Sequence, residues 1–365
     1  MSIISEILRD AAAQGASDVH LKANQKPFYR VNGALVESGF EAIPADTMLA
    51  IVHDITPPHA KPGVERGVEM DFSHIEPGVG RFRVAFFMGC GLPALTLRCV
   101  KSVVPTLEDL RLPPQIERFA SFTRGVVVVA GATGCGKSST LAAIIQIINA
   151  NSQRRVITIE DPIEFLFEDQ RSVVTQREVG LDTESFSTGL HHILRQNPDI
   201  ILIGEMRDAE TIKTALLAAE TGHLVFTTLH SVNAAQALPR LLNEIPVTER
   251  AQVQASLAEN LRAVVCQRLL KDFAGYLIPA VEILLNTPTV KKILQKGAFE
   301  LLQTAIDAGV EEDMQSFDHA LHALVQEKTV TPAAALAAAT NPEQFAMLLK
   351  GIKVEDPRRI LAGAL

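Results

Sequence analysis

Residues 131–138 of this 365-residue chain read Gly-Ala-Thr-Gly-Cys-Gly-Lys-Ser, and no other stretch constrains the fold as strongly. The spacing fits G-x-x-x-x-G-K-[ST], a loop whose backbone N–H groups turn inward on phosphate oxygens. Such a loop needs a buried strand before it and a helix after it. Val126-Val127-Val128-Val129-Ala130 supplies the first, a β-branched run suited to a parallel strand covered on both faces. Residues 140–148, Thr-Leu-Ala-Ala-Ile-Ile-Gln-Ile-Ile, supply the second. The helix N-terminus adds partial positive charge at the phosphates. Lys137 is then in place for the β- and γ-phosphates, and Ser138 for Mg²⁺.

Bulk composition narrows the class. With 47% hydrophobic and 21% charged residues the chain is an ordinary globular protein, long enough for two or three domains. The net charge of −8 removes the whole-surface basic character of a nucleic-acid binder. The four cysteines, Cys90, Cys99, Cys135 and Cys266, form no C-x-x-C pair. A zinc site is therefore not expected, and reduced thiols point to a cytoplasmic setting. Residues 1–6 lack a basic start and a long apolar stretch, so no signal peptide is expected. No apolar run approaches the ~20 residues of a membrane span, which leaves membrane contact to partners.

The first hundred residues read as a small α+β domain. Ile3, Ile4, Ile7, Leu8 and Ala11 fall at helical spacing, with Gly15 at the C′ position. Phe28-Tyr29-Arg30-Val31 runs into Asn32-Gly33, a two-residue hairpin signal. Residues 80–86 and 95–100 alternate as strands. Pro105, Pro113 and Pro114 punctuate an interdomain linker. From Arg124 onward apolar strands alternate with helices, which predicts a parallel α/β sheet. Its strands are expected at 126–130, 156–159, 199–203 and 224–229. A helix over 209–221 is capped by Asp208 and stopped by Gly222. Thr248 is expected to cap a long helix through Leu270, after which the chain stays mostly helical.

Beyond the loop, four groups of residues are candidates for chemistry. Residues 157–164, Ile-Thr-Ile-Glu-Asp-Pro-Ile-Glu, place Glu160, Asp161 and Glu164 at the carboxyl end of a strand, where ligands bind in open parallel sheets. Beside a phosphate loop, such a cluster suits Mg²⁺ and water, although a lone Asp161 also makes a helix cap. Asp199-Ile200-Ile201-Leu202-Ile203-Gly204-Glu205 is an apolar strand ending in Glu205, which is placed to orient a water and accept its proton. Residues 222–230 carry His223 and His230 at opposite ends of a third strand. His230, at the same edge as Glu205, is the candidate γ-phosphate sensor. Arg81 and Arg83 lie on one face of a strand, and Arg98 is on a second strand. Guanidinium forks suit phosphoryl oxygens, yet arginines on strand faces are ordinarily just solvated.

Together these segments resemble the hexameric secretion and type IV pilus motor ATPases, in the retraction branch of PilT and PilU. The matching motifs are Walker A at 131–138, the Asp box at 158–165, Walker B at 199–208 and the His box at 221–230. Residues 174–180, Gly80-Arg81-Phe82-Arg83-Val84 and Leu97-Arg98 match as well. The resemblance implies a PAS-like α+β N-terminal domain (1–104), a linker (105–121), a RecA-like P-loop core (122–270) and a mainly helical C-terminal region (271–365). It implies ATP and Mg²⁺ bound by Gly131, Ala132, Thr133, Gly134, Cys135, Gly136, Lys137, Ser138 and Ser139, with Ser138 as metal ligand. It makes Glu205 the catalytic glutamate, Glu164 a support for water or metal, and His230 the γ-phosphate sensor. Arg81, Arg83 and Arg98 would complete a neighbouring subunit's site in a homohexamer.

The implied partners are an inner-membrane pilus platform protein and a paralogous retraction ATPase, with the chain peripheral at the inner membrane. No tetracysteine insert of the extension ATPases is present. Where PilT proteins carry Ala-Ile-Arg-Asn-Leu-Ile-Arg, residues 289–295 read Thr-Val-Lys-Lys-Ile-Leu-Gln, closer to PilU, whereas Glu205-Met206-Arg207-Asp208 reads as PilT. A retraction motor is thus the leading expectation. An accessory PilU-like ATPase is the alternative, and a nucleic-acid-translocating ring is disfavoured by the acidic charge.

Overall fold

The computed structural model describes residues 2–58, 60–100, 103–352 and 361. It divides into two compact units. The first comprises Met1–Val103 with the loop segments Pro162–Leu166 and Gly180–Asp182; the second comprises the rest.

The first unit is built on β1 (Asp18–Lys22), β2 (Phe28–Val31), β3 (Ala34–Glu37), β4 (Met70–Glu76), β5 (Gly80–Gly89) and β6 (Leu92–Cys99). They form one antiparallel sheet in the order β3-β2-β1-β6-β5-β4. The Asn32-Gly33 turn joins β2 and β3 as expected, with both residues at positive φ (50° and 84°). Val19, Leu21, Tyr29, Phe82, Val84, Phe86, Leu95 and Leu97 form one buried face. Helices Ile3–Ala13 and Ala45–Ile55 pack their apolar stripes into the same core.

The second unit holds β7 (Gly125–Gly131), β8 (Arg155–Glu160), β9 (Val173–Glu178), β10 (Ile200–Ile203), β11 (Leu224–Leu229), β12 (Leu261–Lys271) and β13 (Leu277–Leu285). Their order is β13-β12-β7-β11-β10-β8-β9, with every pairing parallel except β12 with β13. All seven residues of β7 are buried, which is why four consecutive valines are tolerated there. Helix Lys137–Asn151 covers the sheet with Leu141, Ile144, Ile145 and Ile148. The proline-punctuated segment does not hang free: the 3₁₀ helix Pro114–Ser121 buries Ile116 and Phe119 in this core.

The expected long helix from Thr248 to Leu270 is corrected. The helix runs only Arg250–Asn260, begins at Glu249, and gives way directly to β12. Helical propensity in Leu261–Lys271 is overridden by pairing: Val264 and Val265 lie beside Val128 and Val129 of β7, and the run is extended on its other side by β13. The chain after Thr248 is therefore not mostly helical until Thr287, where helices Pro288–Lys296, Leu302–Ala308, Phe317–Gln326, Pro332–Ala338 and Pro342–Leu349 follow.

Buried Glu282 and half-buried Arg268 on this hairpin hold that helical region to the sheet. Glu282 of β13 is fully buried and accepts from Ala234 N (2.7 Å) and Phe317 N (3.4 Å), the first residues of two helices, and from Gln303 Nε2 (3.4 Å). Burial pushes its carboxyl upward, opposed by these donors and by Arg268. Arg268 of β12 donates to Ala338 O (2.5 Å) and Val232 O (2.9 Å) and stacks 3.9 Å over the Phe317 ring. Glu282→Ala would strand these buried donors and cost about 3 kcal/mol of stability, read from the urea midpoint by circular dichroism. Glu282→Gln keeps an acceptor oxygen and should cost clearly less. Equal losses in the two variants would contradict this account.

Candidate functional site

The parallel strands put their carboxyl ends on one edge. Register fixes the alignment: Ile203 lies opposite Ile159 and Thr227, and Thr227 opposite Val128. Glu205, His230 and the loop starting at Gly131 emerge from that edge within three residues of those partners.

The loop itself has the geometry the motif predicts. Gly131 has φ 148°, and a Cβ there would meet Gln267 O at 2.7 Å and also Cys135 Sγ. Only glycine allows the loop to close this tightly onto β12. Gly136 (φ 92°) leads into helix Lys137–Asn151, and no side chain caps that helix. Its first N–H groups are thus left for an anion. Lys137 is buried, and its Nζ donates to Gly131 O (3.1 Å) and Ala132 O (3.0 Å). Backbone carbonyls alone are weak partners for an ammonium, so the loop holds the charge ready for a phosphate. Ser138 and Ser139 are half-buried on the first turn, while Ala132, Thr133 and Gly134 are exposed at the loop tip. The Cys135 thiol is buried against Gly131, and burial pushes it upward. Behind the loop, Thr140 and Gln267 bond each other (3.1 and 2.9 Å), tying the helix to β12.

Glu205 follows β10 and is gripped from two sides. Arg207 Nη2 lies 2.6 Å from its Oε2, and His230 Nε2 lies 3.4 Å from its Oε1. Its side chain is 17% exposed, open enough to meet a water. Thr228 Oγ1 donates to Gly204 O (2.5 Å), and Gly204 N to Ile159 O (2.8 Å), so the turn carrying Glu205 is fastened to both neighbouring strands. The structure thus brings Glu205 and His230 together, as the sequence predicts. It adds Arg207, whose alternation with Glu205 around a buried Met206 is a weak sequence signal.

The other carboxylates separate into different roles. Glu160 Oε1 accepts from Thr158 Oγ1 (2.6 Å) and Gln176 Nε2 (3.1 Å), which commits it to the sheet. Asp161 is exposed at the end of β8. Glu164 is exposed between buried Ile163 and Phe165, in the segment grouped with the first unit. His223 bonds Ala218 O (2.9 Å) and Thr221 Oγ1 (3.2 Å) at the amino end of β11, a structural histidine closing helix Ala209–Glu220.

In the first unit, the arginines lie on the sheet face opposite the core. Cross-strand register sets Arg30, Asp18, Arg98 and Arg83 in one row over β2, β1, β6 and β5. Arg98 Nε donates to Asp18 (2.8 Å) and stays 68% exposed; Arg83 is 44% exposed, 3.6 Å from Asp71. Burial works to raise the Asp18 carboxyl, but Arg98 and Ser17 outweigh it and hold it low. Arg81 shares the face yet is buried, a difference that strand alternation alone does not reveal. Asp18 and Arg30 were not singled out by sequence; the hairpin register that sets them in this row was the available signal.

The model of the family described as "Type II/IV secretion system protein" matches residues 1–278. The chain is 40% identical to the type IV pilus retraction ATPase PilT of Pseudomonas aeruginosa, over 94% of this chain and 99% of that protein. It is 38% identical to the type IV pilus ATPase PilU of the same organism, over 94% and 91%. A crystal structure of the pilus retraction motor PilT with bound ADP superposes with a TM-score of 0.86 at 36% identity, covering 93% of this chain and 98% of that one. The chain belongs to the type II/IV secretion system protein family, in its PilT/PilU branch.

Proposed function

We propose that this chain is an ATP-hydrolysing motor that drives type IV pilus retraction. The observation that carries the reading is Glu205, held at the strand edge between Arg207 and His230, on the same edge as the phosphate loop. The loop fits a nucleotide phosphate because Gly131 closes it, the helix start is uncapped, and Lys137 rests only on carbonyls. Ser138 would hold Mg²⁺, which when bound neutralises charge on the β- and γ-oxygens.

The residues then act as follows. Amides of 131–138 and Lys137 fix the phosphates, and Glu205 accepts a proton from the attacking water. His230, beside Glu205, reports the γ-phosphate to that carboxylate. Glu164 supports water or metal. Arg83 and Arg98, exposed on the first unit's open face, serve a neighbouring subunit's phosphates in a homohexamer, with Arg81 as a buried third member of the group. Retraction follows from nucleotide-dependent movement of one subunit against the next. An inner-membrane platform protein and a paralogous ATPase are the proposed partners. Among the described residues no helix is long and apolar enough to cross a membrane. A PilU-like accessory role is the second reading, favoured by residues 289–295 and by the 38% identity to PilU; the full set of Lys137, Glu205 and His230 favours an active motor.

Glu205→Gln should bind ATP with unchanged affinity and lose about 100-fold or more in turnover, measured by phosphate release. Parental turnover would remove Glu205 from the base role. A ring of Lys137→Ala subunits and a ring of Arg83→Ala/Arg98→Ala subunits should each be inactive. Mixed rings should regain activity, because some junctions pair an intact loop with intact arginines. Mixed rings as inactive as their parents would refute a site shared between subunits.

A further inference from the structure

We propose that Arg207 is a positioning residue for hydrolysis, setting the Glu205 carboxylate in the orientation in which it accepts the proton from water. The inference rests on the assignment of Glu205 as base. A carboxylate on a side chain with three rotors has no preferred direction at a solvent-accessible edge. Glu205 has one here because both its oxygens are held: Oε2 by Arg207 at 2.6 Å, Oε1 by His230 at 3.4 Å. His230 alone would leave the carboxylate free to swing about that one contact.

The backbone explains why Arg207 reaches this place. Met206 before it is 4% exposed and belongs to the main core. Asp208 after it caps helix Ala209–Glu220, accepting from Thr211 N (2.8 Å) and Thr211 Oγ1 (2.7 Å). Anchored on both sides, Arg207 cannot drift, although its side chain is 69% exposed. The Asp161 charge at the end of β8 adds a weaker attraction on the guanidinium, after the main one from Glu205. A planar, always-charged fork holds a carboxylate in one plane, whereas a lysine ammonium supplies a point charge without that direction. The pair is too exposed to matter much for folding. Its value lies in orientation, where a displacement of about 1 Å at a reacting group costs up to ~100-fold in rate.

The test is steady-state turnover and ATP affinity for Arg207→Ala, Arg207→Lys, Glu205→Gln and the Glu205→Gln/Arg207→Ala double variant, each as the assembled oligomer. The expected result is a fall of about 10- to 100-fold in kcat for Arg207→Ala with ATP affinity unchanged. Arg207→Lys should recover part of it. The double variant should be no slower than Glu205→Gln, because Arg207 acts through Glu205. An unchanged or raised kcat overturns the proposal, as does a parallel loss of ATP affinity, which would make Arg207 a phosphate contact. Additive losses in the double variant also overturn it. Failure of the base assignment is separable, since Glu205→Gln would then keep its turnover.

Discussion

The site depends on one tight junction where the ends of β8, β10 and β11 meet at Gly204. Its N–H bonds Ile159 O on one side, and its carbonyl accepts from Thr228 on the other. A Cβ at this position would stand 3.3 Å from Ile159 O and 3.4 Å from Glu160 Cα and the Phe186 ring. An alanine there would press these neighbours apart by a few tenths of an ångström. With glycine the three strand ends stay level, and Glu205 and His230 leave them close enough to touch. The phosphate loop shares this edge because β7 pairs in parallel with β11.

Charge placement follows the same economy. At the edge, Lys137 is left on backbone carbonyls that a phosphate can displace, and Glu205 is held by an exposed arginine that leaves it open to water. On the β12–β13 hairpin, buried Glu282 and half-buried Arg268 carry dense hydrogen bonding to helix ends. Weakly held charges mark the reactive surface, and strongly held ones mark the joints that bear its load.

The sequence was most informative where local pattern and tertiary role coincide. The runs around Val126–Val129, Ile200–Ile203 and Leu224–Leu229 are apolar because both faces of a parallel strand are covered, so their identity as strands was legible without any partner. The loop, Glu205 and His230 were legible from their places at the ends of those runs. β12 was not, because Leu261–Lys271 mixes Arg262, Gln267 and Arg268 with apolar residues, and its polar members find buried partners only in the assembled fold. The same holds for Arg207, whose aim is set by Met206 and Asp208, and for the row from Arg30 to Arg83, which exists only through cross-strand register. Alternation placed Arg81 beside Arg83 on one face but carried no information on how deeply each is buried.

The most direct test of the edge as a hydrolytic site is a structure of the assembled protein with Mg²⁺, ADP and a planar γ-phosphate mimic. The account predicts phosphate oxygens on the amides of 131–138 and on Lys137. It further predicts a Glu205 oxygen within about 2.6–3.2 Å of a water in line with the mimic. If that water is held by another carboxylate while Glu205 stays locked on Arg207 away from it, the central claim is wrong.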